Sequence, residues 1–266
     1  MPAKTVKQVA HHTDRAIYTI WVLWLIGMSE PKIAAVTLKR PKQIAGIVGR
    51  SPYKNRSAMT DAERTQSIVC LDLEGVLVPE IWIEFSRRAG IPELSRTTRD
   101  EPDYDKLMRY RIALLDQHGL KLPDIQQVID GMGPLPGARA FLDEMRERFQ
   151  VIILSDTFYE FADPLMRQLG RPTLFCHRLL VDADGRVRDY KLRQPDQKRA
   201  AVNALKRLNF RVMAAGDSYN DTGMLLAADA GFFIHAPPAI AAQFPQFPVT
   251  NSYAELKAAI DGASAA

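Results

Sequence analysis

The chain has 266 residues, of which 47% are hydrophobic and 25% charged, with a net charge of +4. This size suits one large domain, or one domain carrying an insertion and an extension. The composition excludes a wholly disordered chain, a collagen-like chain and a multi-span membrane protein.

Charge is unevenly placed. Residues 1–66 hold 11 Lys and Arg against 4 acids, a balance of +7, while the other 200 residues sum to −3. The mildly acidic body gives no reason to expect a nucleic-acid partner; only the N-terminal segment is basic. Two cysteines, Cys70 and Cys176, cannot build a disulfide framework. Both adjoin apolar runs, which predicts buried, inert thiols in a reducing, cytoplasmic compartment.

In chain order, residues 16–28 (AIYTIWVLWLIGM) are the one strongly apolar run. They are shorter than the roughly 18–20 residues that cross a bilayer. No small-x-small cleavage site follows cleanly, so a signal peptide is disfavoured, and no firm membrane partner is expected. An interfacial anchor is the competing reading. Residues 29–66 show no sustained period and several Pro and Gly. Residues 1–66 therefore read as a basic, poorly ordered extension. Met59 lies just before the first clear strand, and the functional chain is expected to start near it.

From Ser67 the pattern changes. Residues 68–71 are a short apolar run ending in Asp72, which predicts a buried strand. Helical segments are expected at about 81–88, 103–117, 123–129 and 137–149. Residues 151–154 predict a second buried strand ending in Ser155-Asp156, followed by a helix over 161–169. The Asp-Gly pair within 181–187 predicts a β-hairpin. A helix over 197–208 leads to a third strand, 211–215, ending in Gly216-Asp217. A fourth strand, 232–234, precedes a last helix over 253–260. Alternating strands and helices predict an α/β fold with a Rossmann-like parallel sheet and right-handed crossovers. No strand is expected between Leu71 and Val151. Residues 80–133 thus read as a helical cap inserted into an α/β core of residues 67–79 and 134–266.

Three strands end in acid: Asp72, Asp156 and Asp217. In an open parallel sheet these ends converge on one crevice. Glu74 and Asp221 lie close by in sequence. One such Asp would read as a helix cap. Several in one cleft repel one another and call for a cation, and hard oxygens suit Mg2+.

These residues carry a resemblance. Asp72-Leu-Glu74-Gly-Val76 looks like the first motif of the haloacid dehalogenase-like phosphatases, Leu154-Ser155-Asp156 the second, Lys198 the third, and Gly216-Asp217-Ser-Tyr-Asn220-Asp221 the fourth. All four occur in order over about residues 67–260. Longer stretches, 72–82, 153–160 and 215–221, resemble the phosphoserine phosphatase branch, including members that also transfer the phosphoryl group to homoserine.

The resemblance implies a haloacid dehalogenase-like fold and a Mg2+-dependent enzyme acting on L-phosphoserine, with L-homoserine as a second phosphoryl acceptor. A homodimer is compatible with it. Asp72 is then the nucleophile that forms an aspartyl-phosphate, and Glu74 the general acid and base. Glu74 departs from the usual Asp by one methylene. Expected metal ligands are the Asp72 carboxylate, the Glu74 carbonyl and Asp217. Asp221 supports them, and Asn220 faces the phosphate. Ser155 donates to the phosphoryl group, with the N–H groups around Asp156 if they open a helix. Asp156 itself stands where relatives often have Gly. Lys198 neutralises nucleophile and phosphate; Lys191 is its competitor. Leu107, Arg111, Leu114 and Leu115 share a helix face. Arg111 either snorkels to water or, by resemblance, clamps the substrate carboxylate. Glu80 either opens a helix or binds the substrate ammonium. Trp82, Phe158 and Tyr159 are expected to pack the cap interface, and His177 is expected to be structural. Three rival readings remain: a phosphatase of another small phosphate ester, a pseudoenzyme, and a membrane-surface or nucleic-acid binder working through the basic segment.

Overall fold

The protein, represented by a computed structural model, is described over residues 14–25, 27–51, 66–97, 100–101 and 103–265. Met59 lies outside the described residues. The chain divides into two compact units, Met1–Arg64 and Thr65–Ala266.

In the first unit, helices α1 (Asp14–Leu25), α2 (Glu30–Thr37) and α3 (Pro41–Gly49) surround a small apolar cluster of Ile20, Ile33, Ala34, Ile44, Ile47 and Val48. The Trp21 indole N–H donates to the Ile47 carbonyl at 3.2 Å. Where the sequence reading expects a poorly ordered extension, residues 14–51 are therefore mostly helical. Helices of 8 and 9 residues, each opened by a proline in its first turn, are too short to display a period. No described helix is long and apolar enough to cross a membrane.

The second unit is built on a seven-stranded sheet of order β4-β3-β2-β1-β5-β6-β7. Its strands are β1 (Gln66–Leu71), β2 (Gln150–Phe158), β3 (Thr173–Val181), β4 (Val187–Lys191), β5 (Phe210–Gly216), β6 (Ala230–Ile234) and β7 (Val249–Thr250). All neighbours pair parallel except β3 and β4, the antiparallel hairpin expected around Gly185. Gly185 takes φ 82 in that turn, a conformation that favours glycine.

Successive residues of β1 feed opposite faces of the sheet. Val69 and Leu71 join the cluster that includes Ile153, Met213 and Ile234, whereas Ile68 and Cys70 join Leu154, Val212 and Phe233. Helices α9 (Gln197–Arg207) and α10 (Thr222–Ala227) cover the second face, with Ala201, Val202, Leu205, Met224 and Leu225. Helices α7 (Ala138–Arg148), α8 (Tyr159–Gln168) and α12 (Tyr253–Ala265) cover the first. A burial on both faces explains why these strands read as unbroken apolar runs. Residues 81–130 hold helices α4 (Ile81–Ala89), α5 (Tyr104–Gln117) and α6 (Leu122–Asp130), with no strand among the described residues. Their apolar side chains, Phe85, Met108, Leu115, Ile125 and Ile129, are continuous with the first cluster.

Four differences from the sequence expectation stand out. β2 runs on to Phe158, and α8 starts at Tyr159. β3 is a nine-residue strand, and a short β7 closes the sheet edge.

Both cysteines are buried. Burial pushes the Cys70 thiol up to about 12 and raises that of Cys176 as well. Neither is a thiolate at ordinary pH. Ellman's reagent at about pH 8 is expected to find no reactive thiol in the native protein and both after denaturation.

Candidate active site

β1 is the central strand, and the order reverses direction between it and β5, which is where open α/β sheets bind ligands. Asp72 follows the carboxyl end of β1, Ser155-Asp156 lie just before that of β2, and Asp217 follows that of β5. The Asp72 amide donates to the Ala215 carbonyl at 3.0 Å, which ties the first and third of these ends together.

Lys198 sits at the centre. It is the second residue of α9 and only 3% exposed. Its ammonium lies 2.8 Å from Asp72 Oδ1, 2.8 Å from Asp221 Oδ1 and 3.8 Å from Asp156 Oδ2. Burial opposes its charge, but Asp221 and Asp72 hold its pKa well above the usual lysine value. Lys191, the competing lysine, ends β4 and is exposed.

Asp72 is 3% exposed and also accepts the Leu73 amide at 2.7 Å. Burial, then repulsion from Asp221, pushes its carboxyl upward against the pull of Lys198. Asp221 is fully buried. Its Oδ1 takes the lysine, and its Oδ2 takes the amides of Asp217 and Ser218 at 3.0 and 3.1 Å. Both Asp221 oxygens are thus engaged by the protein.

Asp217 differs. Its Oδ1 is buried without a hydrogen-bond partner, and burial, with Asp221 next in weight, pushes its carboxyl up to about 7. Carboxylate oxygens of Asp72, Asp217 and Asp221 lie within 4.8 Å of one another. An orphaned buried oxygen among mutually repelling carboxylates fits a hard divalent cation. With Asp221 saturated, Asp72 and Asp217 are the side chains able to hold it.

Glu74 lies half-buried in the loop after β1. Its Oε2 accepts the Ile81 amide at 2.9 Å, the first N–H of α4, and Thr157 adds a side-chain hydrogen bond. Burial, then repulsion from Glu80, pushes its carboxyl up to about 8. It is therefore largely protonated at neutral pH, the state a proton donor needs. Glu80 itself is exposed and precedes α4 without capping it through its side chain.

At the end of β2, Ser155 is buried and its Oγ accepts the Thr157 amide at 3.2 Å. Its carbonyl and Asp156 Oδ1 both accept from the Gln197 amide. Asn220 donates to Asp156 Oδ2 at 3.2 Å, and His177 Nε2 lies 3.7 Å from Asp156 Oδ1. Because α8 begins only at Tyr159, the N–H groups around Asp156 belong to a strand and gain no helix terminus.

Arg111, on α5, is 6% exposed and packs over the Trp82 ring at 4.5 Å. It donates to the Arg96 carbonyl, its Nε is buried without a partner, and burial lowers it to about 10, so it stays charged. It does not snorkel. Trp82 also meets Phe161 of α8 edge-on at 5.2 Å, the packing role expected of it. Gln197 and Thr157 escape the sequence reading, since no motif marks them. His177, expected to be structural, accepts the Arg193 amide at 3.1 Å and lies beside Asp156.

Fold and site together define a hydrolase of the haloacid dehalogenase type. Residues 66–229 match the haloacid dehalogenase-like hydrolase family, and the chain belongs to it. Phosphoserine phosphatase ThrH of Pseudomonas aeruginosa is 62% identical over 190 residues, 71% of this chain and 93% of that protein. The phosphoserine phosphatase of Pseudomonas syringae pv. tomato is also 62% identical over 190 residues, 71% of this chain and 80% of that one. Among solved structures, a substrate-bound phosphoserine phosphatase complex matches at TM-score 0.60 and 20% identity, over 74% of this chain and 98% of that one. The fold is thus shared well beyond the range of sequence similarity.

Gly75 has φ 73, and a Cβ there would lie 2.3 Å from Asp217 Oδ2. Gly75→Ala is expected to displace Asp217 and cut phosphatase activity by roughly 100-fold or more, as a shift of about 1 Å does. A steady-state assay beside a circular dichroism spectrum checks this; an active, folded variant would contradict the reading.

Proposed function

We propose that this chain hydrolyses L-phosphoserine through an aspartyl-phosphate on Asp72, and passes the same phosphoryl group to L-homoserine. The names of the 62%-identical relatives support the substrate. The observation that carries the reading is the pairing of a buried Asp72–Lys198 contact with a buried, charged Arg111 that has no ion pair among the described residues. The first suits attack on a phosphoryl group. The second suits a carboxylate in the ligand, which the planar guanidinium can take bidentately.

Residues 80–133 act as the cap that brings Arg111 and Glu80 to the ligand, with Glu80 taking the ammonium. An oxygen of Asp72 attacks phosphorus while the bond to the seryl oxygen breaks. Glu74 gives its proton to that oxygen, and serine leaves. Water then attacks the phosphorus of the aspartyl-phosphate and loses its proton to Glu74; the Asp72–phosphorus bond breaks and phosphate is freed. With homoserine the acceptor hydroxyl takes the place of water. Lys198 and Ser155 hold the phosphoryl oxygens, and Asn220 faces them. Asp72, Asp217 and the Glu74 carbonyl would hold Mg2+, which would supply neutralisation of the phosphoryl charge.

Incubation with Mg2+ and L-phosphoserine, with and without L-homoserine, followed by ³¹P NMR, tests the proposal. Free phosphate in both tubes and phosphohomoserine in the second are expected. No turnover of phosphoserine would refute it, and Asp72→Asn retaining full activity would refute the mechanism. If Glu74 is the acid, Glu74→Gln should cost about 100-fold or more on phosphoserine. An aryl phosphate, whose leaving group needs no proton, should lose far less. Equal losses on both esters would remove Glu74 from that role.

A further inference from the structure

Asp156 has no task in the mechanism above beyond its backbone. Its side chain is nevertheless fixed with care. Gln197 Nε2 donates to Oδ1 at 3.2 Å and Asn220 Nδ2 to Oδ2 at 3.2 Å. His177 Nε2 stands 3.7 Å from Oδ1, and Lys198 Nζ 3.8 Å from Oδ2. Gln197 is 2% exposed, and the same amide grips the Ser155 carbonyl, so the donor to Asp156 is itself held in place. Burial works against its charge, but Lys198, Asn220 and Gln197 outweigh it and hold the carboxyl below the usual range. The side chain remains 39% exposed, and Tyr104 of α5 lies near enough to be coupled to it electrostatically. A fixed anion therefore stands one ammonium away from the phosphoryl site, with an open side.

A phosphate ester is already an anion. A second fixed negative charge beside its site weakens its binding, unless the ligand brings a positive group of its own. The carboxylate then becomes an attraction. We propose that the Asp156 carboxylate is a specificity-determining charge filter, which favours phosphate esters bearing an ammonium near the phosphate and disfavours those whose organic part is only anionic. Glu80, whose charge acts on Glu74 and Asp217, carries a preference of the same sign. Asp156 extends the same preference to the side of β2. The inference rests on the phosphatase reading, and sharpens it into a substrate class.

The test is competitive inhibition of aryl phosphate hydrolysis by the full-length, Mg2+-supplied protein. O-Phosphoethanolamine and 2-phosphoglycolate are the probes, since they share a two-carbon phosphate ester and differ in the charge at the far end. In Asp156→Asn the ratio of their inhibition constants is expected to move by about tenfold or more toward phosphoglycolate. A ratio of two constants cancels any general damage to the site. An unchanged ratio, or one moving toward phosphoethanolamine, would overturn the filter. Asp156→Ser serves where the Asn variant does not fold. Failure of phosphoserine turnover leaves this readout intact, because the donor is the aryl ester, so the two readings fail separately.

Discussion

Most of this site is arranged around one buried ammonium. Lys198 lies in contact with Asp72 and Asp221 and within reach of Asp156, so it touches carboxylates after β1, after β5 and at the end of β2. A buried charge with no counter-ion is expensive, and so are buried carboxylates with no cation. Each makes the other tolerable. The arrangement also constrains the fold. α9 has to begin at the carboxyl edge of the sheet and run down the face formed by Ile68, Cys70 and Val212, where Ala201, Val202 and Leu205 anchor it. The buried lysine is positioned by an ordinary apolar helix face one turn further along.

The lysine does not balance the site alone. Asp72 and Asp217 are pushed toward their neutral forms by burial and by Asp221, and Asp217 keeps an oxygen without a donor. Asp221 has become part of the scaffold, with Lys198 on one oxygen and two backbone amides on the other. The two neighbouring carboxylates are thus divided: Asp221 is tied into the scaffold, whereas Asp217 keeps one buried oxygen unpaired. The glycine before Asp217 belongs to the same arrangement, since a Cβ on Gly216 would meet the Asp221 side chain at 2.3 Å.

What the sequence made legible was the part governed by local rules. β1, β5 and β6 are short apolar runs buried on both faces, and the acids that follow β1 and β5, Asp72 and Asp217, are visible without any structure. The helices of 81–130 follow from period and caps, such as Asp103, whose side chain accepts two first-turn amides of α5. β3 is harder to read because His177 and Arg178 interrupt its apolar run, although β2 pairs with it across a bulge between Leu154 and Phe158. That irregularity lengthens β2 and delays α8. Gln197 could not be found from pattern, because its value lies in a contact with residues more than forty positions away. In residues 14–51 the reason is the opposite: α2 and α3 are too short to show a period, and only the packing of the three helices makes the cluster visible.

The glutamate at position 74 links the core to the inserted helices more tightly than its place after β1 suggests. Its carboxylate caps the first amide of α4, at Ile81, while the next residue, Trp82, is the surface on which Arg111 lies. One end of one helix therefore fixes both the Glu74 carboxyl and the cushion under the guanidinium. Trp82 is itself wedged against Phe161 of α8, the helix that follows β2 and its Ser155-Asp156 end. Movement of α4 would disturb the donor, the guanidinium and the packing against α8 together. The groups proposed to recognise the organic part of the ligand and the group proposed to protonate its oxygen are mechanically one unit. Chemistry and recognition in such a site are coupled through a single hydrogen bond and a single ring.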